Sequence, residues 1–244
     1  MNRDISLIEL NKENRLVVAC DSLGGIGPKE GDALRVEGEL VGKLAVRVAL
    51  MEVLAVRARP ISVINTLCVE KDPTGQSIIA GIEEEVKLLD VDIEQLLNGS
   101  TEENVATIQT GVGITVIGVA KKEELRLASS AAGAALVAVG LPKVAKEVLT
   151  AKEVMADLEV LQQLLSLDYV QDILPVGSKG IKYEAELLAK LNQLRLELKA
   201  ELKLDLEKSA GPATVLLITL PANKLDKLEK TIDKPLNYLG KLAN

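Results

Sequence analysis

Leu16-Val17-Val18-Ala19-Cys20-Asp21-Ser22-Leu23-Gly24-Gly25-Ile26-Gly27-Pro28-Lys29 is the stretch on which the reading of this chain turns. An apolar run with the look of a buried strand delivers a carboxylate, a hydroxyl and the glycines 24, 25 and 27 to one strand end. Glycines at such a place let backbone N–H groups close in on a bound anion. A neighbouring carboxylate can hold the divalent cation that a phosphate also needs. Two readings follow: a site for a magnesium-bound phosphate, or a glycine-rich hairpin turn with Asp21 as its turn former.

On the N-terminal side, residues 5–8 and 16–20 read as a β-pair joined by the polar turn 11–14. On the C-terminal side, Leu40, Leu44, Val48, Met51 and Ala55 recur at helical spacing, which predicts a helix over 39–58. Arg59-Pro60 closes it, because proline disfavours helical geometry at the preceding residue. A strand over 61–70, a turn at 72–75 and a helix over 76–89 follow, the last with Glu83, Glu84 and Glu85 on a solvated face. Residues 99–104 read as a polar loop and 112–120 as a strand, with a domain joint at 121–126. Beyond the joint come a buried strand at 134–139, helices over 144–149 and 154–167, and a strand-like 172–176 that runs into Gly177-Ser178-Lys179-Gly180. A helix over 181–194, a connection rich in Lys, Glu and Leu over 190–208, and a last strand at 213–220 complete the pattern. Strands alternating with helices predict an α/β or α+β architecture.

The 244 residues suffice for one large or two small domains, and 48% hydrophobic with 27% charged residues predicts a globular protein with a sizeable core. A net charge of −7 argues against nucleic acid as the main partner. No apolar run is long enough to cross a bilayer and the N-terminus shows no signal-peptide pattern, so no membrane partner and a cytoplasmic location are expected. Cys20 and Cys68 sit in apolar runs and read as buried, reduced thiols. The chain has no His, Phe or Trp and only 3 Tyr. That excludes a histidine general base, a Ser-His-Asp triad, histidine metal ligands and base-stacking platforms of Phe or Trp. The narrowed alphabet looks simplified, which opens a hypothesis of a different class: a catalytically silent carrier of the fold.

Beside Asp21, Glu52 is the second candidate for chemistry. Its helical neighbours Val48, Ala49, Ala55 and Val56 cannot pair with it, so it either meets a cation or donor from elsewhere or lies on an exposed edge near Lys43 and Arg47. Glu102 and Glu103 are oxygen donors suited to magnesium, or else part of a helix N-cap with Ser100 or Thr101. Gly177-Ser178-Lys179-Gly180 follows a strand and opens a helix, so its N–H groups could receive an anion. Lys208-Ser209-Ala210-Gly211-Pro212 is a similar small-residue turn.

Several segments together resemble a known family: Ala19-Cys20-Asp21-Ser22 with Gly24-Gly25-Ile26-Gly27, then Arg47-Val48-Ala49-Leu50-Met51-Glu52-Val53-Leu54 and Gly99-Ser100-Thr101-Glu102-Glu103-Asn104. Gly113-Ile114-Thr115-Val116-Ile117-Gly118, Asp172-Ile173-Leu174-Pro175-Val176-Gly177-Ser178-Lys179-Gly180 and Ser209-Ala210-Gly211-Pro212-Ala213-Thr214 continue it. In order and spacing they resemble alpha-ribazole kinase and its relatives, in the superfamily of aminoimidazole-ribonucleotide synthase and thiamine-monophosphate kinase. The resemblance spans nearly the whole chain. It implies a two-domain α/β (α+β) fold of the aminoimidazole-ribonucleotide-synthase type, with an ATP- and metal-binding domain over 1–122 that dimerises through its sheet and a C-terminal α/β domain over 123–244. It implies ATP and Mg2+ bound in the cleft, and a nucleoside-like small molecule, alpha-ribazole, phosphorylated in cobalamin lower-ligand salvage; another ATP-dependent synthetase reaction of the superfamily is the alternative. By position, Asp21, Glu52 and Glu102 would hold magnesium. Ser22, Gly24, Gly25, Gly27, Gly177, Ser178 and Gly180 would face phosphate or substrate, and Lys29 or Lys179 would neutralise transferring oxygens. The chain departs from the pattern at Ser130-Ala131-Ala132-Gly133, where the superfamily commonly has a Gly-Asp pair. Tyr183 is the aromatic candidate for an acceptor ring.

Overall fold

The computed structural model describes residues 3–89 and 91–244. They form two compact units: Asp4–Leu54 with Ala58–Glu123, and Glu124–Asn244 with Arg3 and the short segment Ala55–Arg57. The first is called the N-terminal unit and the second the C-terminal unit.

The N-terminal unit contains, in chain order, β1 (Ile5–Glu9), β2 (Asn14–Gly24), β3 (Ile26–Gly27), β4 (Leu34–Arg35), α1 (Gly38–Ala55), β5 (Arg59–Leu67), α2 (Gln76–Val86), α3 (Ile93–Leu96), β6 (Leu97–Thr101) and β7 (Gly111–Lys121). Its main sheet has the order β1-β2-β7-β5-β6, antiparallel except for the parallel β5–β6 pair. Strict alternation sorts β2 and β7. Val17, Ala19, Val112, Ile114 and Val116 are buried on one face, while Leu16, Val18, Ile117 and Val119 are only half-buried on the other. On the buried face, Gly118 makes room for Val53 of α1, whose Cγ1 would lie 2.4 Å from a Cβ there.

Only Met51 and Ala55 of the expected α1 stripe are buried; Leu40, Leu44 and Val48 are half-buried. The buried line is Val41, Ala45, Val46, Ala49, Leu50 and Val53. Small residues mark the closest approach instead. A Cβ on Gly42 would lie 2.0 Å from the Ile78 carbonyl oxygen, and one on Gly81 1.9 Å from that of Glu39, so α1 and α2 cross backbone to backbone. The glutamates of α2 are not all solvated either. Glu85 is 2% exposed and receives a bidentate Arg47 guanidinium at 2.6 and 3.1 Å, and Lys43 pairs with Glu84.

The C-terminal unit adds β8 (Ala135–Val139), α4 (Leu158–Ser166), β9 (Ile173–Pro175), α5 (Gly180–Leu191), β10 (Arg195–Leu198), β11 (Leu216–Leu220), α6 (Leu225–Glu229) and β12 (Leu236–Ala243). Its sheet is antiparallel throughout, in the order β10-β12-β8-β11-β9. Leu136, Leu174, Ile181, Leu188, Leu217 and Leu239 form its core. In place of the helix expected over 144–149 stands a short 3-10 turn, Ala145–Thr150, and α4 begins only at Leu158, capped by Asp157. The charged connection over 190–208 contributes β10. β12 escapes sequence reading because its register shifts between Tyr238 and Gly240, which breaks the two-residue period. Asp172, fully buried, closes this unit: it accepts from the Ser129 and Ser130 N–H groups and from Asn192 Nδ2 at 2.9–3.1 Å.

Candidate functional site

In the main sheet of the N-terminal unit β2, β5 and β6 run one way and β7 the other. Register places Leu23, Val112, Leu67 and Thr101 in one row. The ends of β2, β5 and β6 and the start of β7 therefore lie at one edge. That edge gathers Asp21 to Lys29, Cys68 to Glu70, Glu102 and Glu103, and residues 107–111. An open pocket of about 700 Å³ lies there, lined among others by Gly24, Gly25, Cys68, Ile108, Thr110 and Gly111.

Asp21 shares its row and face with Ile114, Asn65 and Gly99, the helix-covered face. Burial pushes its carboxyl up to about 6; a hydrogen bond from the Ser22 main chain opposes this and the Asp4 charge adds to it. A carboxylate so placed favours either a proton or a cation. Glu52 is 7% exposed, so the reading of an exposed helix edge does not hold; Lys43 and Arg47 are engaged with Glu84 and Glu85 instead.

Glu102 and Glu103 do not cap a helix. Residues 97–101 are β6 rather than a loop, and Glu102 follows it with its N–H bonded to the Val69 carbonyl at 2.9 Å. Glu102 Oε1 accepts from the N–H groups of Asn104 and Val105 at 2.7 and 3.1 Å, and these bonds hold its carboxyl below the usual range. Glu103 Oε1 accepts from the Lys71 N–H and the Thr101 hydroxyl. Among the described residues no group of three or more Asp, Glu, Cys or His is arranged to hold a metal ion. Asp21, Glu52 and Glu102 are therefore not gathered into one ligand cluster.

The glycines of the loop differ. Gly24 has open space within 4 Å of where a Cβ would stand, and Gly25 adopts φ +69°. Gly27, at φ +155°, is glycine for an internal reason: a Cβ would lie 2.3 Å from Thr110 Oγ1 and 2.9 Å from Asp32 Oδ2. Ser22 is exposed. Lys29 pairs with Glu70 through its ammonium. Burial works to raise the Glu70 carboxyl, but the bonds from Lys29 and Thr74 outweigh it and hold it at about 2. Asp32 and Glu70 escape sequence reading because their partners lie 78 and 41 residues away.

Both cysteines are exposed, not buried, and free. Alternation along β2 turns Val17 and Ala19 inward and Cys20 outward, while Cys68 stands past the end of β5 at the pocket.

In the C-terminal unit, Gly177-Ser178-Lys179-Gly180 opens α5 and meets the Ser209–Pro212 segment, the Ala210 N–H bonding the Gly177 carbonyl at 3.2 Å. The two small-residue turns are thus adjacent. Lys179 lies 4.3 Å from the Tyr183 ring centroid and donates to its hydroxyl at 3.1 Å.

These features define a mixed α/β fold of the aminoimidazole-ribonucleotide-synthase type. Residues 2–120 match the family described as AIR synthase related protein, N-terminal domain. Among solved structures, thiamine-monophosphate kinase from Stenotrophomonas maltophilia K279a is similar at 16% identity and TM-score 0.65, covering 99% of this chain and 89% of that one. The Aquifex aeolicus ThiL complexed with AMPPCP and TMP is similar at 14% identity and TM-score 0.65, covering 100% and 85%. Thermotoga maritima PurL complexed with ADP is similar at 15% identity and TM-score 0.64, covering 100% of this chain and 42% of that one. No curated protein matches the chain in sequence. No helix among the described residues is long and apolar enough to cross a membrane.

Proposed function

We propose that the chain is an ATP- and magnesium-dependent kinase of a nucleoside-like small molecule, with alpha-ribazole as the acceptor to test first. The observation that carries this reading is the strand edge where Asp21, its carboxyl pushed up to about 6, precedes the open backbone at Gly24. Thiamine-monophosphate kinase and ThiL with AMPPCP among the structural neighbours support it.

The residues fit a magnesium ion shared with phosphate oxygens rather than one held in a protein cage. Asp21 is a desolvated carboxylate with a second negative charge, Asp4, close enough to act on it, so it gains from a cation. Magnesium commonly takes only one or two carboxylates and completes its shell with phosphate and water. Asp21 with one further carboxylate, from Glu52 or Glu102, would hold it beside phosphate and water, and it would neutralise the β- and γ-phosphate charge. Phosphoryl transfer asks the protein chiefly for positioning and charge neutralisation, which a chain without histidine can supply. Gly24 leaves main chain accessible to a phosphate, Gly25 being bonded to Thr110, and Lys29, held by Glu70, stands in the same loop as a fixed positive charge. The Gly177 to Gly180 turn and Lys179 are proposed to face the substrate. The half-buried sheet face with Val18, Ile64 and Ile117 is proposed to pair with a second copy.

Titration calorimetry of Mg–ATP into the wild type, Asp21→Asn and Glu52→Gln tests the reading, followed by a phosphoryl-transfer assay with alpha-ribazole. Weakened binding in both variants supports it; no binding in the wild type refutes it. A second reading is a fold without turnover, favoured by the scattered carboxylates and the missing His, Phe and Trp. Binding without transfer to any nucleoside acceptor would select that reading.

A further inference from the structure

We propose that Asp32 is a positioning residue for the nucleotide site, its buried carboxylate fixing the glycine loop to the loop that begins at Glu102. The proposal rests on the kinase reading above. Asp32 is 8% exposed and Thr110 1%. Asp32 Oδ1 accepts from the Thr110 N–H at 2.7 Å, and Oδ2 from the Thr110 hydroxyl at 2.7 Å and the Lys29 N–H at 2.9 Å. One side chain thus holds the segment bearing Gly24, Gly25 and Lys29 against the last residue of the segment that starts with Glu102.

Main-chain bonds extend the seam: Gly25 N–H to the Thr110 carbonyl and Gly31 N–H to the Ile108 carbonyl, both at 2.8 Å, with Gln109 Nε2 donating to the Gly31 carbonyl at 2.7 Å. The glycine at 27 is dictated by this clasp, since a side chain there would enter the space of Thr110 and Asp32.

A purely structural account leaves something unexplained. The loop so anchored buries little apolar surface: Val105 is 65% and Ile108 76% exposed. Burying a carboxylate is costly unless donors satisfy it. Here that cost is borne to order exposed loops, and ordering backbone without core burial is itself unfavourable. Fixing the relative place of a phosphate loop and a carboxylate loop is a return in binding geometry, where small displacements are expensive.

The test uses the full chain and four variants: Asp32→Ala, Thr110→Val, Thr110→Ser, and Ile82→Ala as a stability control in the buried face of α2. Thr110→Ser keeps both donors to Asp32, whereas Thr110→Val keeps only the N–H. Mg–ATP affinity is read by calorimetry, loop order by amide exchange over residues 25–33 and 104–110, and kcat and KM by phosphoryl transfer. Asp32→Ala is expected to weaken Mg–ATP roughly 10- to 100-fold, as removal of groups behind a metal or phosphate site commonly does. Thr110→Val is expected to fall between, Thr110→Ser to bind as the wild type, and Ile82→Ala to lose stability with affinity unchanged. Equal Mg–ATP affinity in Asp32→Ala and wild type would overturn the proposal while leaving the kinase reading standing. Should Asp32→Ala fail to fold, the threonine pair decides: equal binding by Thr110→Val and Thr110→Ser overturns it. A wild type that binds no Mg–ATP overturns the kinase reading, and the positioning role with it.

Discussion

Gly27→Ala and Gly24→Ala place the same methyl group three residues apart and should differ sharply in stability. Gly24 lies in β2 with nothing within 4 Å of where the methyl would stand, so its substitution falls in the range of ordinary surface changes, within about 0.5 kcal/mol. Gly27 has φ +155°, and the methyl would stand 2.3 Å from Thr110 Oγ1, 2.7 Å from Thr110 Cβ and 2.9 Å from Asp32 Oδ2. Backbone strain in that glycine-only region costs about 1–3 kcal/mol. Pushing the Thr110 hydroxyl off a buried carboxylate costs about 1–3 kcal/mol more. The sum is about 4 kcal/mol, or roughly 16 °C in the melting of a unit of this size. The three tyrosines, Tyr169, Tyr183 and Tyr238, all lie in the C-terminal unit, so tyrosine fluorescence does not follow the N-terminal one. The assay is therefore native-state amide exchange of the most protected amides in β2 and β7. Gly27→Ala protein whose β2 and β7 amides open with the same free energy as those of Gly24→Ala would refute the clash and the clasp inferred from it.

Four further outcomes are expected. Native Asp21 binds its proton near pH 6 against 3.8 unfolded, so the folded state holds the extra proton and stability falls as pH rises across that interval. Urea melts should show Asp21→Asn more stable than wild type above that window and equal to it below; Mg–ATP binding to wild type should strengthen as the carboxyl ionises. Glu70 has the opposite sign: its carboxyl is held at about 2 against 4.5, so the stability it adds is present above 4.5 and lost as pH falls toward 2. Glu70→Gln should therefore be destabilised at neutral pH by a small amount, given the partial exposure of the pair, and match wild type in acid by the same melts. Cys20 and Cys68 should both react with a thiol reagent in native buffer, and a native count of zero by mass spectrometry would contradict their exposure. The proposed pairing through the half-buried sheet face predicts a dimer in sedimentation equilibrium that Val18→Lys converts to monomer, and a wild-type monomer or an unchanged mass in the variant would exclude that face as the pairing surface.

What the sequence reveals of this fold follows from the range over which each signal acts. β2 and β7 are readable as strands because each carries an apolar run, Leu16 to Cys20 and Val112 to Ala120, but a continuous run does not say which face a side chain takes, and Cys20, expected buried, turns outward. β12 is unreadable because a bulge changes the parity of its side chains midway. The α1 stripe is displaced from its expected line: Leu50 and Met51 are fully buried, while Leu40 and Leu44 are half-buried, because the backbones of α1 and α2 meet at Gly42 and Gly81, where no side chain announces the contact.

The site divides along the same line. Asp21 and its glycines announce themselves because the chemistry-bearing residues are contiguous. Asp32 does not, since a Gly-Asp pair in a polar loop looks like any turn until Thr110 arrives from the far side of α1, β5, α2 and β6. Glycine is the sharpest case. In the sequence Gly24 and Gly27 are equivalent members of one phosphate-loop pattern. In three dimensions one faces open space and the other a buried carboxylate, so only Gly24 bears on a ligand's approach. A glycine-rich loop is therefore two superposed signals, one set by what must bind and one by what must close behind it, and the letters alone cannot separate them.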